Sequence, residues 1–359
     1  MNNILNYIPA PDVSPLPSHP YIFIFFLVVT LFIHFLFMNL TLGGSIMIII
    51  AKYFAKIKGN NNYNKIAEEI GWLNTFNISL TVTTGVAPLL FLQILYGQFF
   101  YTSSILLSWK WLFVLLAIII AYYFYYLYKF KPSYIKFTGG KGFIFIILAT
   151  ILFLYVALML VTNTLVSMQP ELWKKIYLGK ISAFSAKTLW LRFFHFIFAA
   201  IAFSGAFYML YAKLRKSYDK ELSDTMYKLG KYTFFIPTLT QLFIGTWFLI
   251  SHPVNYYVNV STMIFLTLGI TMAFIPVFLI ITKKENEKIV FGFTSLSVLF
   301  MVLVRRFIEV SYFSKYFNPL YLNVRTQWSI FIIFLILFVA LLVTLYYLFI
   351  KLKYEIVKK

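Results

Sequence analysis

Apolar runs of eighteen or more residues recur along the whole chain, and a polypeptide patterned this way folds inside a bilayer rather than around one soluble core. Nine such runs fall at approximately Tyr21–Ile50, Gly71–Tyr96, Leu107–Tyr128, Gly142–Met168, Thr188–Tyr211, Tyr232–Ser251, Tyr256–Thr282, Ile289–Glu309 and Trp328–Ile350, with ends placed to about four residues. Each is expected to be helical, because in hydrocarbon a spanning segment has to pair its own backbone N–H and C=O groups. Short connections make neighbouring spans antiparallel. The expected fold is an all-α polytopic membrane protein with nine transmembrane helices. Only 12% of the 359 residues are charged and 61% are hydrophobic, which excludes a soluble enzyme of this size.

The net charge of +20 does not point to nucleic acid, because the basic residues sit in short loops between spans. Of the 31 Lys and Arg residues, 21 fall in the odd-numbered loops and the C-terminal tail. The positive-inside rule therefore puts the N-terminus outside and the C-terminus in the cytoplasm. The fourth loop, with Lys174, Lys175, Lys180 and Lys187, runs against this bias. It is either a landing patch for an acidic partner or a solvated surface. Residues 1–20 carry Pro9, Pro11, Pro15, Pro17 and Pro20 and no basic n-region. They read as an external, proline-stiffened arm rather than a cleavable signal, and residues 21–359 as one helical transmembrane domain. The chain has no cysteine. That excludes disulfides, thiolate metal sites, iron–sulfur ligation by this chain and covalent haem attachment through Cys-x-x-Cys-His.

Polar side chains inside such spans are costly unless partnered, so each is a candidate for function. His34 lies in His34-Phe35-Leu36-Phe37-Met38-Asn39-Leu40-Thr41-Leu42-Gly43-Gly44, with no charged residue from Tyr21 to Ala51. His195 lies in Arg192-Phe193-Phe194-His195-Phe196-Ile197-Phe198, about 10 Å inside the fifth span at 1.5 Å per residue. Neutral imidazole is the usual axial ligand of haem iron and methionine a common second ligand. Two buried histidines among Phe and Leu suit a porphyrin between helices. They equally suit a proton relay, or structural hydrogen bonds. His19 and His252 neighbour Pro20 and Pro253 and read as turn residues. Arg305 and Glu309 are four apart and share a helix face, with Arg306 beside them. They are either a snorkelling interfacial pair or a site in which Glu309 binds iron or carries protons near anionic groups held by the arginines. The second span is unusually polar, and Thr81, Gly85 and Pro88 form one face expected to pack on protein or cofactor, with a kink at Pro88.

These residues carry a resemblance to subunit I of the cytochrome bd quinol oxidases. His34-Phe35-Leu36-Phe37 followed by Leu40-Thr41-Leu42-Gly43 is similar to that family's first-helix signature. Asn77 before Thr84-Gly85, Leu160-Val161-Thr162-Asn163 before Met168-Gln169-Pro170, and Phe194-His195 before Gly205-Ala206-Phe207 and Tyr208-Met209-Leu210 follow in the family's order. The likeness covers roughly residues 21–215; residues 230–350 diverge. It implies that His34 is the axial ligand of a high-spin haem at an oxygen-reacting site. His195 would be one ligand of a low-spin haem b. The partner methionine is expected in the seventh span, with Met263 fitting better than Met272. Glu309 would correspond to a glutamate that binds the iron of a second high-spin haem, with Arg305 and Arg306 near haem propionates. One to three haems, a second membrane subunit and a bacterial or archaeal cytoplasmic membrane are implied in the same way.

The chain departs from the family in three places. Leu107–Tyr128 has no Asp or Glu, where the family's third helix carries acids for proton delivery; its one charge is Lys110. Ser311–Asn318 stands where the family has Gly-Arg-Gln-Pro-Trp. The long quinol-binding loop after the sixth span is reduced to a few residues around His252 and Pro253. Quinol oxidation at that place is therefore not expected. The leading expectation is a haem-b-binding membrane subunit of a respiratory electron-transfer complex. It would exchange electrons with an external cytochrome c or iron–sulfur protein. A terminal oxygen reductase fed by cytochrome c is the second reading. A haem-free proton-coupled transporter, with Pro88, Pro237 and Pro276 breaking its helices, is the third.

Overall fold

The computed structural model describes residues 7–130, 142–215, 219–251 and 259–358, with side chains described to residue 351. His252 and Pro253, and with them the shortened sixth loop, lie outside the described residues. Among the described residues there are ten α-helices: α1 Pro20–Lys58, α2 Asn62–Leu107, α3 Trp109–Phe130, α4 Phe143–Ser167, α5 Pro170–Tyr177, α6 Leu189–Arg215, α7 Lys220–Ile250, α8 Val260–Ile281, α9 Glu287–Phe313 and α10 Trp328–Lys358. All but the short α5 are long and apolar enough to cross a membrane, nine in number, so the chain is an integral membrane protein. The expected spans are all present. Their ends differ most at α1 and α2, which run on for 39 and 46 residues. At 1.5 Å per residue these are about 58 and 69 Å long, well beyond a hydrocarbon core of about 30 Å.

Start signals are local. Pro20 opens α1 at the first helical position, where its missing N–H costs nothing, and the His19 side chain accepts a hydrogen bond from Tyr21 N at 3.4 Å. His19 is thus a helix cap stacked on Tyr21. Asp219, Asn259 and Asn286 cap α7, α8 and α9 in the same way. Gly59 ends α1 with φ +62°, a left-handed stop that glycine adopts without strain. The break in α2 falls at Tyr96 (φ −139°, ψ 33°) rather than at the expected Pro88.

Successive helices alternate direction and define two ends of the bundle. The arm end holds the starts of α1, α3, α6, α8 and α10. The opposite, basic end holds Lys56, Lys58, Lys129, Lys213 and Arg215 in the last turns of α1, α3 and α6. The arm is tied down: Leu16 N donates to Asn323 O at 2.7 Å and Arg325 N donates to Leu16 O at 2.9 Å. The fourth loop contains α5, whose Trp173 Nε1 donates to Val166 O at 2.7 Å and folds it back over α4.

Lipid removes most of the hydrophobic drive between helices, so close approach through small residues holds the bundle together. A Cβ on Gly43 would run into the Ala200 carbonyl and the Ser204 hydroxyl of α6. Without one, α1 and α6 meet backbone to backbone, and Ser204 Oγ donates to Asn39 O at 2.9 Å. Three cores result. One lies toward the basic end around Met47, Ile70, Tyr125 and Tyr208. One lies toward the arm end around Phe26, Phe91, Tyr96 and Phe313. The third joins α6 to α7, α8 and α9 around Ala206, Phe234 and Val277. α10 has no buried residue in its apolar window and rests on the bundle through Phe331, Phe334, Leu335 and Phe338, the rings of Phe334 and Phe338 meeting Phe26 edge-on.

Candidate functional site in the arm-end half of the bundle

His34 projects from α1 onto α2. Its Nδ1 lies 3.0 Å from the carbonyl oxygen of Thr81. A carbonyl can only accept, so Nδ1 carries the proton and Nε2 keeps its lone pair, the tautomer a metal ligand needs. Gly85 makes room for the ring: a Cβ there would sit 2.8 Å from His34 Cε1 and 2.9 Å from Nδ1. The Thr81–Gly85–Pro88 face therefore packs on protein, as its spacing predicts, with Pro88 buried and Thr81 and Gly85 half-buried. Thr81 is held by Thr41, the two hydroxyls 2.8 Å apart.

His195 occupies a matching cradle between α6 and α7. A Cβ on Gly245 would lie 3.3 Å from its Cε1 and 3.5 Å from its Nδ1. Phe248 flanks the ring at 6.0 Å, and Gln241 Nε2 donates to the His195 carbonyl at 2.7 Å. The His195 Nδ1 is buried and has no hydrogen-bond partner. The two imidazoles are linked through their neighbours in sequence. Phe35 meets Phe196 edge-to-face, with centroids 6.0 Å apart.

The arginines and Glu309 close the site. Arg305 Nε donates to one carboxylate oxygen of Glu309 at 2.7 Å, and Arg306 Nη1 to the other at 3.3 Å. Arg305 also reaches Thr164 Oγ1 at 3.4 Å and lies over the Phe35 ring at 5.6 Å. Arg306 lies 4.7 Å over Tyr96, which stacks on Phe313. The helix break at Tyr96 thus sits directly under a guanidinium. Arg306 and Glu309 are each only 5% exposed, so a loosely snorkelling surface pair does not describe them.

Sequence reasoning missed Arg192. It sits three residues before His195 and so on the same face of α6. Its guanidinium lies 5.5 Å over Phe248, with Nε and Nη1 buried and unpartnered. It is within electrostatic range of His195, Arg305 and Glu309, and Arg305 is within range of His34. A charged residue one helical turn from a buried histidine was the available signal. Arg306 Nε and Nη2 are likewise buried without partners. Two guanidiniums thus bind the one carboxylate and a third lies near it unpaired, an uncompensated arrangement that is expensive in an apolar setting when nothing anionic faces it.

Met263 is not brought into this group. It is 42% exposed on α8, which packs along α9 and barely touches α7, the helix under His195. Its helix could be found from hydropathy, but the face it turns inward could not. Among the described residues no three His, Cys, Asp or Glu side chains gather as a metal site.

The architecture is that of a polytopic helical membrane protein whose polar groups converge in one half of the bundle. No family model and no curated protein matches the sequence. Among solved structures, the fold is similar to a chain of the bd oxidase from Geobacillus thermodenitrificans. The TM-score is 0.73 at 12% identity, over 95% of this chain and 99% of that one. The chain thus has a distant bd-like fold, carried by shape rather than by overall sequence.

Proposed function

We propose that this chain is a haem-b-binding membrane subunit of a respiratory electron-transfer complex. The observation that supports it best is the pair of cradled imidazoles beside buried guanidinium nitrogens without partners. A haem fits this donor set: neutral imidazole nitrogen for iron, apolar walls for the macrocycle, and cationic groups for two carboxylates. His195 would be the axial ligand of a low-spin haem b and His34 that of a second haem. Arg192, Arg305 and Arg306 would neutralise propionates. Glu309 holds Arg305 and Arg306 in place, and its two oxygens are already engaged by them. That favours a positioning role over direct iron ligation. Met263, facing outward, is the least suited of the expected ligands.

When bound, haem supplies one-electron chemistry. The chain's own residues do the rest. Thr81 fixes the His34 tautomer, Gly85 and Gly245 leave room for the rings, and the Phe35–Phe196 pair spaces the two sites. The basic bias of the opposite end supports an external N-terminus, so the site would lie toward the outer face. A cytochrome c or iron–sulfur protein would then exchange electrons there, near Lys174, Lys175, Lys180 and Lys187. A second membrane subunit is expected beside it. Oxygen reduction at His34 is the alternative reading.

The test is a reduced-minus-oxidised spectrum of the purified full-length protein from haem-replete cells. A haem b signal is expected, with its low-spin component lost in His195→Ala. A colourless preparation would overturn the proposal.

A further inference from the structure

We infer that the α4–α6 connection is a docking surface for an acidic, water-soluble electron-transfer protein, and that a basic cytochrome is repelled there. The inference deepens the proposed function and rests on its external arm end; the docking surface itself does not require haem. Lys174, Lys175, Lys180 and Lys187 fall within fourteen residues and are all exposed. Lysines on a translocated face oppose the positive-inside bias, so topology does not account for them. Nor are they neutralised locally. Glu171, the one carboxylate of the connection, accepts a hydrogen bond from Tyr316 Oη at 3.1 Å, and Lys174 Nζ donates to Tyr7 Oη at 3.1 Å. Among the described residues none of the four lysines is in an ion pair. Lys315 and Arg325, exposed in the α9–α10 connection, carry the same sign at the same end, against Asp12 on the arm.

The lysines sit on a folded platform. Trp173 is buried and holds α5 over the end of α4, and Gly179 follows α5 at φ +67°. Lys180 N donates to Lys175 O at 2.9 Å, and Ser182 caps the 3-10 turn Ala183–Ser185. A surface already ordered loses little entropy when a partner binds. The platform lies across the end of the bundle, tied to the arm through Tyr7 and to the α9–α10 connection through Tyr316. Lipid headgroups ring the side of a bundle, whereas water and soluble partners meet its end, which favours a protein over a lipid. Tyr177 and Leu178 are exposed between Lys175 and Lys180, an aromatic and apolar contact inside a charged rim. The surface ends beside the proposed haem. Lys187 lies two residues before α6, and His195 six residues inside it, about 9 Å along the axis. Between them Trp190 and Phe194 share an exposed face with ring centroids 6.4 Å apart, and Phe194 adjoins His195 in the chain. The transfer moves one electron from the partner's reduced centre to the haem proposed on His195. No bond forms or breaks.

Two measurements on the purified full-length protein test the surface and the haem reading separately. The variant is the triple reversal Lys175→Glu, Lys180→Glu and Lys187→Glu, whose positions are exposed and whose new charges favour the same orientation in the membrane. The first measurement needs no haem. The protein in phosphatidylcholine nanodiscs is titrated with an acidic plant-type ferredoxin and, separately, with a basic mitochondrial cytochrome c. Ferredoxin should bind wild type, about tenfold more weakly at 200 than at 20 mM salt, and about tenfold more weakly to the triple variant. Cytochrome c should bind the triple variant alone. No ferredoxin binding at low salt, or equal binding to wild type and variant, would overturn the docking surface. Bound phosphatidylglycerol lost from the variant with ferredoxin affinity unchanged would assign the lysines to lipid and overturn it as well. The second measurement is stopped-flow reduction of the haem by reduced ferredoxin. It should slow about tenfold in the triple variant, with reduction by dithionite unchanged. Equal rates with ferredoxin would overturn the surface as the point of electron entry. Salt-sensitive docking to a colourless wild type would overturn the haem reading and support the docking surface.

Discussion

The two ends of the bundle treat charge in opposite ways. At the basic end, carboxylates and cations meet near water. Glu69 pairs with Arg215 and Lys231 with Glu285, while Lys52 donates to Asn64 at 2.9 Å. In the arm-end half, Arg305 and Arg306 share Glu309 with Arg192 unpaired nearby, and several guanidinium nitrogens and one imidazole nitrogen have no partner. Ion pairs at a solvated rim cost little and gain little. Excess cation in an apolar interior is costly and persists where an anionic group is to be received. The contrast is what marks the arm-end half as the candidate site.

The largest effects should come from disturbing the buried end. Glu309→Ala strips Arg305 and Arg306 of their shared counter-charge and should cost about 3–5 kcal/mol, whereas Lys231→Ala at the rim should cost about 0–1 kcal/mol. Thermal unfolding in detergent compares them, and equal losses would erase the distinction between the ends. Next in size is Gly85→Ala. Its new methyl would meet the His34 ring, and overpacking of this kind costs about 1–3 kcal/mol. A shifted haem spectrum with the fold retained is the expected result.

Arg192→Gln sharpens the comparison further. With nothing bound it removes an uncompensated buried charge, so the apo protein should be as stable as wild type or more so. Haem occupancy in the same variant should fall about tenfold. A variant that is less stable and fully occupied would mean that Arg192 serves packing alone.

The smallest effect concerns pH at the rim. Burial acts to raise the Glu285 carboxyl, but the hydrogen bond and charge of Lys231 more than offset this and hold it below its ordinary value. Its contribution is therefore present at neutral pH and lost as pH falls through and below the ordinary carboxylate range. Acid titration of thermal stability should show this small loss in wild type and not in Lys231→Ala.

Much of the fold was legible in the sequence. In hydrocarbon each span satisfies its own backbone, so length and hydropathy suffice to find it. Cradles were partly legible: the spacing of Thr81 and Gly85 marked the face on which His34 rests. What stayed hidden depends on contacts between distant helices. The unpaired state of Arg192 and the Phe35–Phe196 bridge each depend on residues with no fixed spacing in the chain. The outward turn of Met263 was hidden for another reason: α8 is apolar on every face, so no periodicity marks its inner side.

The most direct measurement is haem stoichiometry, determined side by side in wild type, His34→Ala and His195→Ala. The account predicts bound haem b in wild type and a different part of it missing from each variant. Undiminished haem in both variants, or none in wild type, would contradict it.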